Sequence, residues 1–439
     1  MELHSGFFST GRAVARTYRQ SHFRVTFKLD TKKSCGAEGA KLFFDPVLSY
    51  TLGLLVRGIS QRDVGFRVWI RIVPLWSAAQ SNSEATNDMK HTLIVLSVLA
   101  TCAAASAQSS VTMFGVVDAS VTRLSSDSAN VTGLASGEQS SSRLGFRGIE
   151  DLGGGLKAGF WLEGSLAVDN GGTSYRFDRR STISLLGGFG EVRLGRDKLA
   201  SYLNVESFDP FGDIGVGGNG LNNMLGGAAA AEGTAEGSHP KRSSNIIAYI
   251  SPNIGGLQGQ LQYSFGERPS NQPNNDRGNI VSARVSYQAS PLEVALGYAQ
   301  LDAGTAATAV TYKATNIGAS YDFGVVKPMV LIATERGAGR GVNAYTLGAS
   351  APLGQAGEFR VGYTRFNTQN VDDADSSKLA LGYFHKLSKR TVVYGMLARV
   401  SNDNNASRGF AVSSSSLTAP LIAAGDSATG YSVGVRHTF

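Results

Sequence analysis

The sequence predicts an all-β fold, a 16-stranded antiparallel transmembrane β-barrel over residues 108–439. Three observations carry this. Hydrophobicity there repeats every two residues rather than every 3.6, as where Tyr431, Val433, Val435, His437 and Phe439 alternate with Ser432, Gly434, Arg436 and Thr438. Turn markers recur at nearly constant spacing. No stretch of about 20 apolar residues follows residue 107, so a closed barrel is the one spanning structure open to this chain.

The elements follow in chain order. Residues 1–88 carry scattered Arg, Lys and Trp with no sustained period, and are expected to be translated upstream sequence or a disordered extension. Residues 89–107 have the form of a secretory signal peptide: Lys90 and His91, an apolar run from Leu93 to Ala100, then Ala105-Ser106-Ala107 before Gln108. That run is too short to span a bilayer. Met89 is therefore expected to be the initiator, and 108–439 the mature barrel. Both cysteines, Cys35 and Cys102, fall before Gln108, so the exported chain uses no disulfide.

The charge divides in the same way. The whole chain has 41 Lys+Arg against 34 Asp+Glu, a net +7, and a pI near 9.3. Thirteen of the basic and seven of the acidic residues precede Gln108, leaving 28 against 27. A basic whole-chain pI would suggest nucleic-acid binding; a nearly neutral mature chain removes that support.

Within the barrel region, Leu144, Phe146 and Gly148 alternate with Arg143, Gly145 and Arg147, and Leu379, Leu381, Tyr383 and His385 with Lys378, Ala380, Gly382 and Phe384. Thr391 to Val400 alternates less cleanly. Tight turns are marked at 153, 188, 254, 290, 323, 354 and 388, with gaps of 35, 66, 36, 33, 31 and 34 residues. A unit of about 33 fits two tilted strands of about 10 residues, a tight turn and a longer loop. Soluble sandwiches place turns every 8–12 residues or so. Seven turns make fourteen strands; Val111 to Val121 before them and Tyr431 to Phe439 after them make sixteen. The opposite connections are polar: Ser125 to Ser142, Arg268 to Gly278, Val371 to Ser377 and Ser401 to Gly430. The 66-residue gap holds Gly-, Ala- and Asn-rich sequence over 200–240 without alternation, and predicts one long loop between the fifth and sixth strands. Aromatics such as Phe160, Tyr249, Tyr287, Tyr321, Phe323 and Tyr363 recur near strand ends, as interfacial girdles do.

These residues resemble the Gram-negative general diffusion porins, in particular the β-proteobacterial type. The match runs over essentially all of 108–439. It is sharpest at Val111-Thr112-Met113-Phe114-Gly115-Val116-Val117-Asp118, Ser142-Arg143-Leu144-Gly145-Phe146-Arg147-Gly148 and Gly190-Glu191-Val192-Arg193-Leu194-Gly195-Arg196. The ending at Tyr431, Val433, Val435, His437 and Phe439 looks like the signal read by the outer-membrane assembly machinery. The resemblance implies a homotrimer in outer-membrane lipid and lipopolysaccharide, passing ions and small polar solutes without a cofactor. It also implies a third external loop folded into the pore.

In such porins wall arginines face carboxylates on that loop, and the field between them selects solutes. By motif the wall residues are Arg143, Arg196 and Arg242; alternation adds Arg147, Arg180 and Arg193 on the water side. Arg196 is the awkward member. Strict alternation from Val192 and Leu194 would turn it to lipid, at a cost of about 2–4 kcal/mol near the midplane, so the strand must end or bulge near Gly195. On the loop, Asp209-Pro210-Phe211-Gly212-Asp213 resembles the acidic turn of the constriction, with Glu206 upstream. Two departures from the family pattern bear on ion preference and pore size: the run 226–237 is unusually Ala/Gly-rich, and Val116 stands where some relatives carry a wall Lys.

Other motifs carry less. Gly215-x-Gly217-x-x-Gly220 fits a dinucleotide fingerprint, but it neither leaves a buried parallel strand nor opens a helix. Three histidines follow Gln108: His239 in a loop, His385 towards lipid and His437 at the terminus. No metal set or catalytic residue is expected, although an outer-membrane barrel enzyme could use His239. A surface adhesin, reading through loops such as Val371 to Ser377, is the other alternative. Asp372, Asp373 and Asp375 form an acidic cluster there, expected to be solvated loop.

Overall fold

The structure is a computed structural model, and it describes residues 3–5, 23–25, 110–172, 175–221, 224–225, 240–304, 307–410 and 417–439. The chain forms two compact units, Met1–Ala105 and Ser106–Phe439. In the first, β1 (Leu3–Ser5) pairs antiparallel with β2 (Phe23–Val25). The predicted signal peptide and His239 lie outside the described residues.

The second unit is a closed antiparallel barrel. Its strands are β3 (Ser110–Ser126), β4 (Asn130–Ser136), β5 (Arg143–Gly153), β6 (Leu156–Ser165), β7 (Arg180–Gly187), β8 (Gly190–Lys198) and β9 (Arg242–Ile250). They continue with β10 (Leu257–Ser264), β11 (Ile280–Ala289), β12 (Leu292–Gly304), β13 (Ala309–Tyr321) and β14 (Lys327–Gly337). The last five are β15 (Arg340–Leu353), β16 (Gly357–Gln369), β17 (Ser376–Lys386), β18 (Thr391–Asn402) and β19 (Ala428–Thr438). One short helix, α1 (Tyr202–Ser207), lies in the connection between β8 and β9.

These seventeen segments fill sixteen wall positions, as the turn arithmetic predicts. β4 and β5 share one position: β4 pairs with β3 from Ala119↔Ser136 to Ser125↔Asn130, and β5 from Ser110↔Ile149 to Val116↔Arg143. Residues 137–142 leave the wall between them. The expected loop from Ser125 to Ser142 is corrected accordingly: only 127–129 connect the hairpin, and the polar residues after them are strand followed by this excursion. All seven predicted tight turns fall between strands. The barrel closes where β19 meets β3, and Phe439 exchanges backbone hydrogen bonds of 3.1 Å each way with Gly115.

Side-chain alternation runs opposite to that of a soluble protein. On β10, Leu257, Leu261 and Tyr263 are exposed outward while Gln262 and Ser264 are buried inward; β19 shows Tyr431, Val433 and Val435 outward and Ser432 inward. Apolar groups face out because lipid is the solvent there. The poor alternation of Thr391 to Val400 has a physical cause. The inward Val392, Tyr394, Met396, Ala398 and Val400 of β18 are buried with Phe211, Val216 and Phe410, which belong to connecting loops. Where loops rather than water cover the inner face, apolar residues suit both sides. Aromatic pairs sit beside turns, as with Tyr321–Phe323 at 4.5 Å and Phe359–Tyr383 at 5.1 Å between centroids.

Candidate pore constriction

The connection between β8 and β9 is built into the interior of the barrel. Residues 199–221 form a second apolar core, in which Tyr202, Val205 and Phe208 pack on inward residues such as Ile280, Ala295, Leu331 and Ala344. Polar anchors fix it strand by strand. The Ala200 N–H donates to Gln262 Oε1 at 2.6 Å and the Ser201 N–H to Ser282 Oγ at 3.0 Å. Asn204 donates to Asn316 Oδ1 at 2.8 Å and accepts from Arg284 Nε at 2.7 Å. Arg360 donates to the Pro210 carbonyl at 2.9 Å, and Lys378 to the Gly218 carbonyl. Glu138, on the excursion between β4 and β5, accepts the Val216 N–H at 3.0 Å. The wall makes room: a Cβ on Gly318 would lie 2.1 Å from the Phe208 ring.

Between this loop and the wall lies a cavity of about 560 Å³. Its β5–β9 side is a ladder of charges. Glu163 accepts from Arg179 at 2.7 Å and from Trp161 Nε1 at 3.1 Å, with Arg143 at 3.8 Å. Asp197 meets Arg193 at 2.7 Å and Arg180 at 3.4 Å, and Lys198 meets Glu206 at 2.5 Å. Arg242 completes this bank; Arg360 and Arg436 line the cavity from β16 and β19. Alternation on flanking strands brings the cations of neighbouring strands onto one face, spaced by the roughly 4.8 Å strand separation.

The structure places the sequence-predicted residues unequally. Arg143, Arg180, Arg193, Arg242, Glu206 and Asp209 line the cavity. Arg147 is also on the inner row, but lies against the Phe114 and Trp161 rings at 5.3 and 5.0 Å. The register shifts between Gly195 and Asp197, the expected bulge. There Gly195 has φ 124°, and a Cβ would stand 2.1 Å from the Ser181 carbonyl oxygen. The bulge does not bring Arg196 to the pore wall: Arg196 stays on the outer row with Val192 and Leu194, opposite Ser181, and donates to the Asp178 carbonyl at 2.5 Å and Ser244 Oγ at 2.9 Å.

The loop acids are used within the loop. Asp209 accepts the N–H groups of Phe211, Asp213 and Asn219 at 3.0, 2.8 and 2.7 Å. Burial pushes its carboxyl up to about 6 against those three bonds. Asp213 takes the Tyr202 hydroxyl at 2.9 Å and the Gly220 N–H at 3.0 Å, with Lys241 at 3.6 Å. Burial raises it as well. Of the external acidic cluster, Asp375 is engaged by Arg365 at 3.0 Å and by the Thr368 N–H at 2.8 Å. His385 lies on the outer row against the Tyr383 hydroxyl at 3.0 Å, and His437 against Thr391 at 3.0 Å.

Sequence reasoning passed over Glu138, Glu163, Arg179, Lys198, Arg360 and Arg436. Alternation marks Arg360, between Phe359 and Val361, and Arg436, between Val435 and His437. Arg179 and Lys198 sit at strand ends, where period two stops.

The family description "Gram-negative porin" matches residues 92–405. The chain belongs to the Gram-negative porins. It is 41% identical over 360 residues to outer membrane porin protein 32 of Delftia acidovorans, covering 80% of this chain and all of that relative. A porin of Bordetella pertussis is 29% identical over 70% of this chain and 93% of its own length. Among solved structures, the anion-selective porin from Comamonas acidovorans superposes with a TM-score of 0.69 at 38% identity, over 76% of this chain and all of that one. This porin is thus an outer-membrane barrel for passive diffusion of solutes.

Proposed function

We propose that this porin prefers anions, and that its β8–β9 loop forms the constriction where the preference is set. The observation that carries this reading is the lining charge. Eight cationic side chains, Arg143, Arg179, Arg180, Arg193, Lys198, Arg242, Arg360 and Arg436, face four carboxylates, Glu163, Asp197, Glu206 and Asp209, among the described residues. In a narrow passage with low-dielectric walls such an excess attracts small anions and repels cations. A relative of 38% identity is itself named anion-selective.

The same reading takes the channel as a homotrimer, seated in lipopolysaccharide and placed by the assembly machinery acting on the β19 terminus. It works without turnover, catalytic residue or cofactor. It also takes 89–107 as the export signal and 1–88 as lying outside the functional protein, in keeping with a family match that starts at residue 92. Purified 108–439, reconstituted in planar bilayers, is expected to give stepwise conductance in multiples of three. Bilayers that stay closed at high protein would refute the channel, and single steps would refute the trimer.

A further inference from the structure

Most cations of the constriction already hold an acid. Arg143, Arg179, Arg180, Arg193, Lys198 and Arg360 each have a carboxylate oxygen within 3.8 Å. Arg436 differs. It lines the cavity, yet no carboxylate oxygen among the described residues forms an ion pair with it, and its Nε has no hydrogen-bond partner. The reason lies in the adjacent strand. Arg436 is registered directly opposite Asp118 of β3, the position from which a counter-ion would ordinarily come. Asp118 is instead fully buried and committed elsewhere. Its Oδ2 accepts the Gln139 and Ser140 N–H groups at 2.8 and 2.7 Å, and its Oδ1 the Tyr394 hydroxyl at 2.6 Å. That carboxylate holds the excursion in place, which leaves the guanidinium fork across from it with donors to spare.

Resting on the proposed anion preference, we infer that Arg436 is the specificity-determining contact of the channel, the group that binds an oxyanion or carboxylate directly as it passes. The ladder arginines contribute charge to the field. Arg193, however, gives its Nε and both Nη groups to Glu191 and Asp197, and Arg179 its Nε to Glu163, and coordinating a solute through those groups would require breaking those bonds. A guanidinium with free parallel N–H groups matches the two oxygens of a carboxylate or phosphate. Tyr394 is then a positioning residue: by occupying Asp118 it keeps Arg436 available.

The test is block of chloride current by inorganic phosphate across bilayers holding the full porin. In the wild type phosphate lowers chloride conductance at a defined half-blocking concentration. Arg436→Gln is expected to raise that concentration about tenfold, and Arg436→Lys, which keeps the charge without the fork, about threefold. Arg180→Gln should reduce chloride-over-potassium selectivity yet move the half-block less than about twofold. Tyr394→Phe should raise the half-block in the native background and leave it unmoved beside Arg436→Gln. Equal loss of block in Arg180→Gln, or unchanged block in Arg436→Gln, would overturn the inference while leaving anion preference standing. A cation-selective wild type would instead overturn the reading beneath it. Heat-modifiable electrophoretic mobility of each variant confirms that the barrel has folded.

Discussion

The carboxylate of Glu138 accepts the backbone N–H of Val216 at 3.0 Å, joining the break between β4 and β5 to the middle of the β8–β9 loop. Glu138 is fully buried, and so is Val216. Removing the acceptor strands a buried donor, at a cost of about 1–3 kcal/mol. Glu138→Ala should therefore lower the unfolding temperature of the barrel and add flicker to the open-channel current. A quiet channel of native thermal stability would show that this bond does not hold the loop.

Gly318 tests the same docking from the wall. Any Cβ there meets the Phe208 ring at 2.1 Å, and Phe208 is fully buried in the loop's core. Gly318→Val is expected to push the loop off β13 and change single-channel conductance while the barrel still folds. Native conductance with native stability would contradict the contact.

Asp209 gives the channel a dependence on pH. Its carboxyl is raised to about 6 by burial, and it lines the cavity. Acidifying from pH 7 to 5 protonates it, removes one of four lining carboxylates, and should increase anion preference. Asp209→Asn should abolish that change. Because the folded value lies above the ordinary carboxylate value, the group favours the folded state at low pH, and this contribution is lost as pH rises through about 6. Selectivity that is flat from pH 5 to 7 in the wild type would contradict the assignment.

The barrel was legible in the sequence because lipid imposes a strict rule on alternate residues, and tight turns must interrupt it at regular intervals. The constriction was legible only in part. Arg143, Arg180 and Arg193 could be read from the alternation of their strands, and the same alternation, against the motif, puts Arg196 on the outer row. The anchors could not be read. Glu138 with Val216, Asn204 with Asn316 and Lys378 with Gly218 join residues 78 to 160 positions apart, and neither partner carries a local pattern naming the other. Asp209 and Asp213 are marked by the resemblance of Asp209-Pro210-Phe211-Gly212-Asp213 to an acidic constriction turn, and Asp209 lines the cavity; what that motif does not announce is that both carboxylates also accept the loop's own N–H groups. That loop has its own buried core, and its N–H groups needed acceptors.

Arg143 bears on the wall directly. Its ion pair with Glu163 is long, 3.8 Å, and its Nη1 is held by the Ser141 carbonyl at 2.9 Å and Ser140 Oγ at 3.2 Å. Arg143→Ala removes one lining cation and should shift the reversal potential towards cations. An unchanged potential would place Arg143 outside the selecting field.

The reversal potential of the wild-type channel across a tenfold KCl gradient tests the excess of positive charge at the proposed constriction most directly. The lining of eight cations against four carboxylates predicts a potential on the chloride side of zero, growing as total salt is lowered and screening weakens. A potential at zero or on the potassium side would contradict the account.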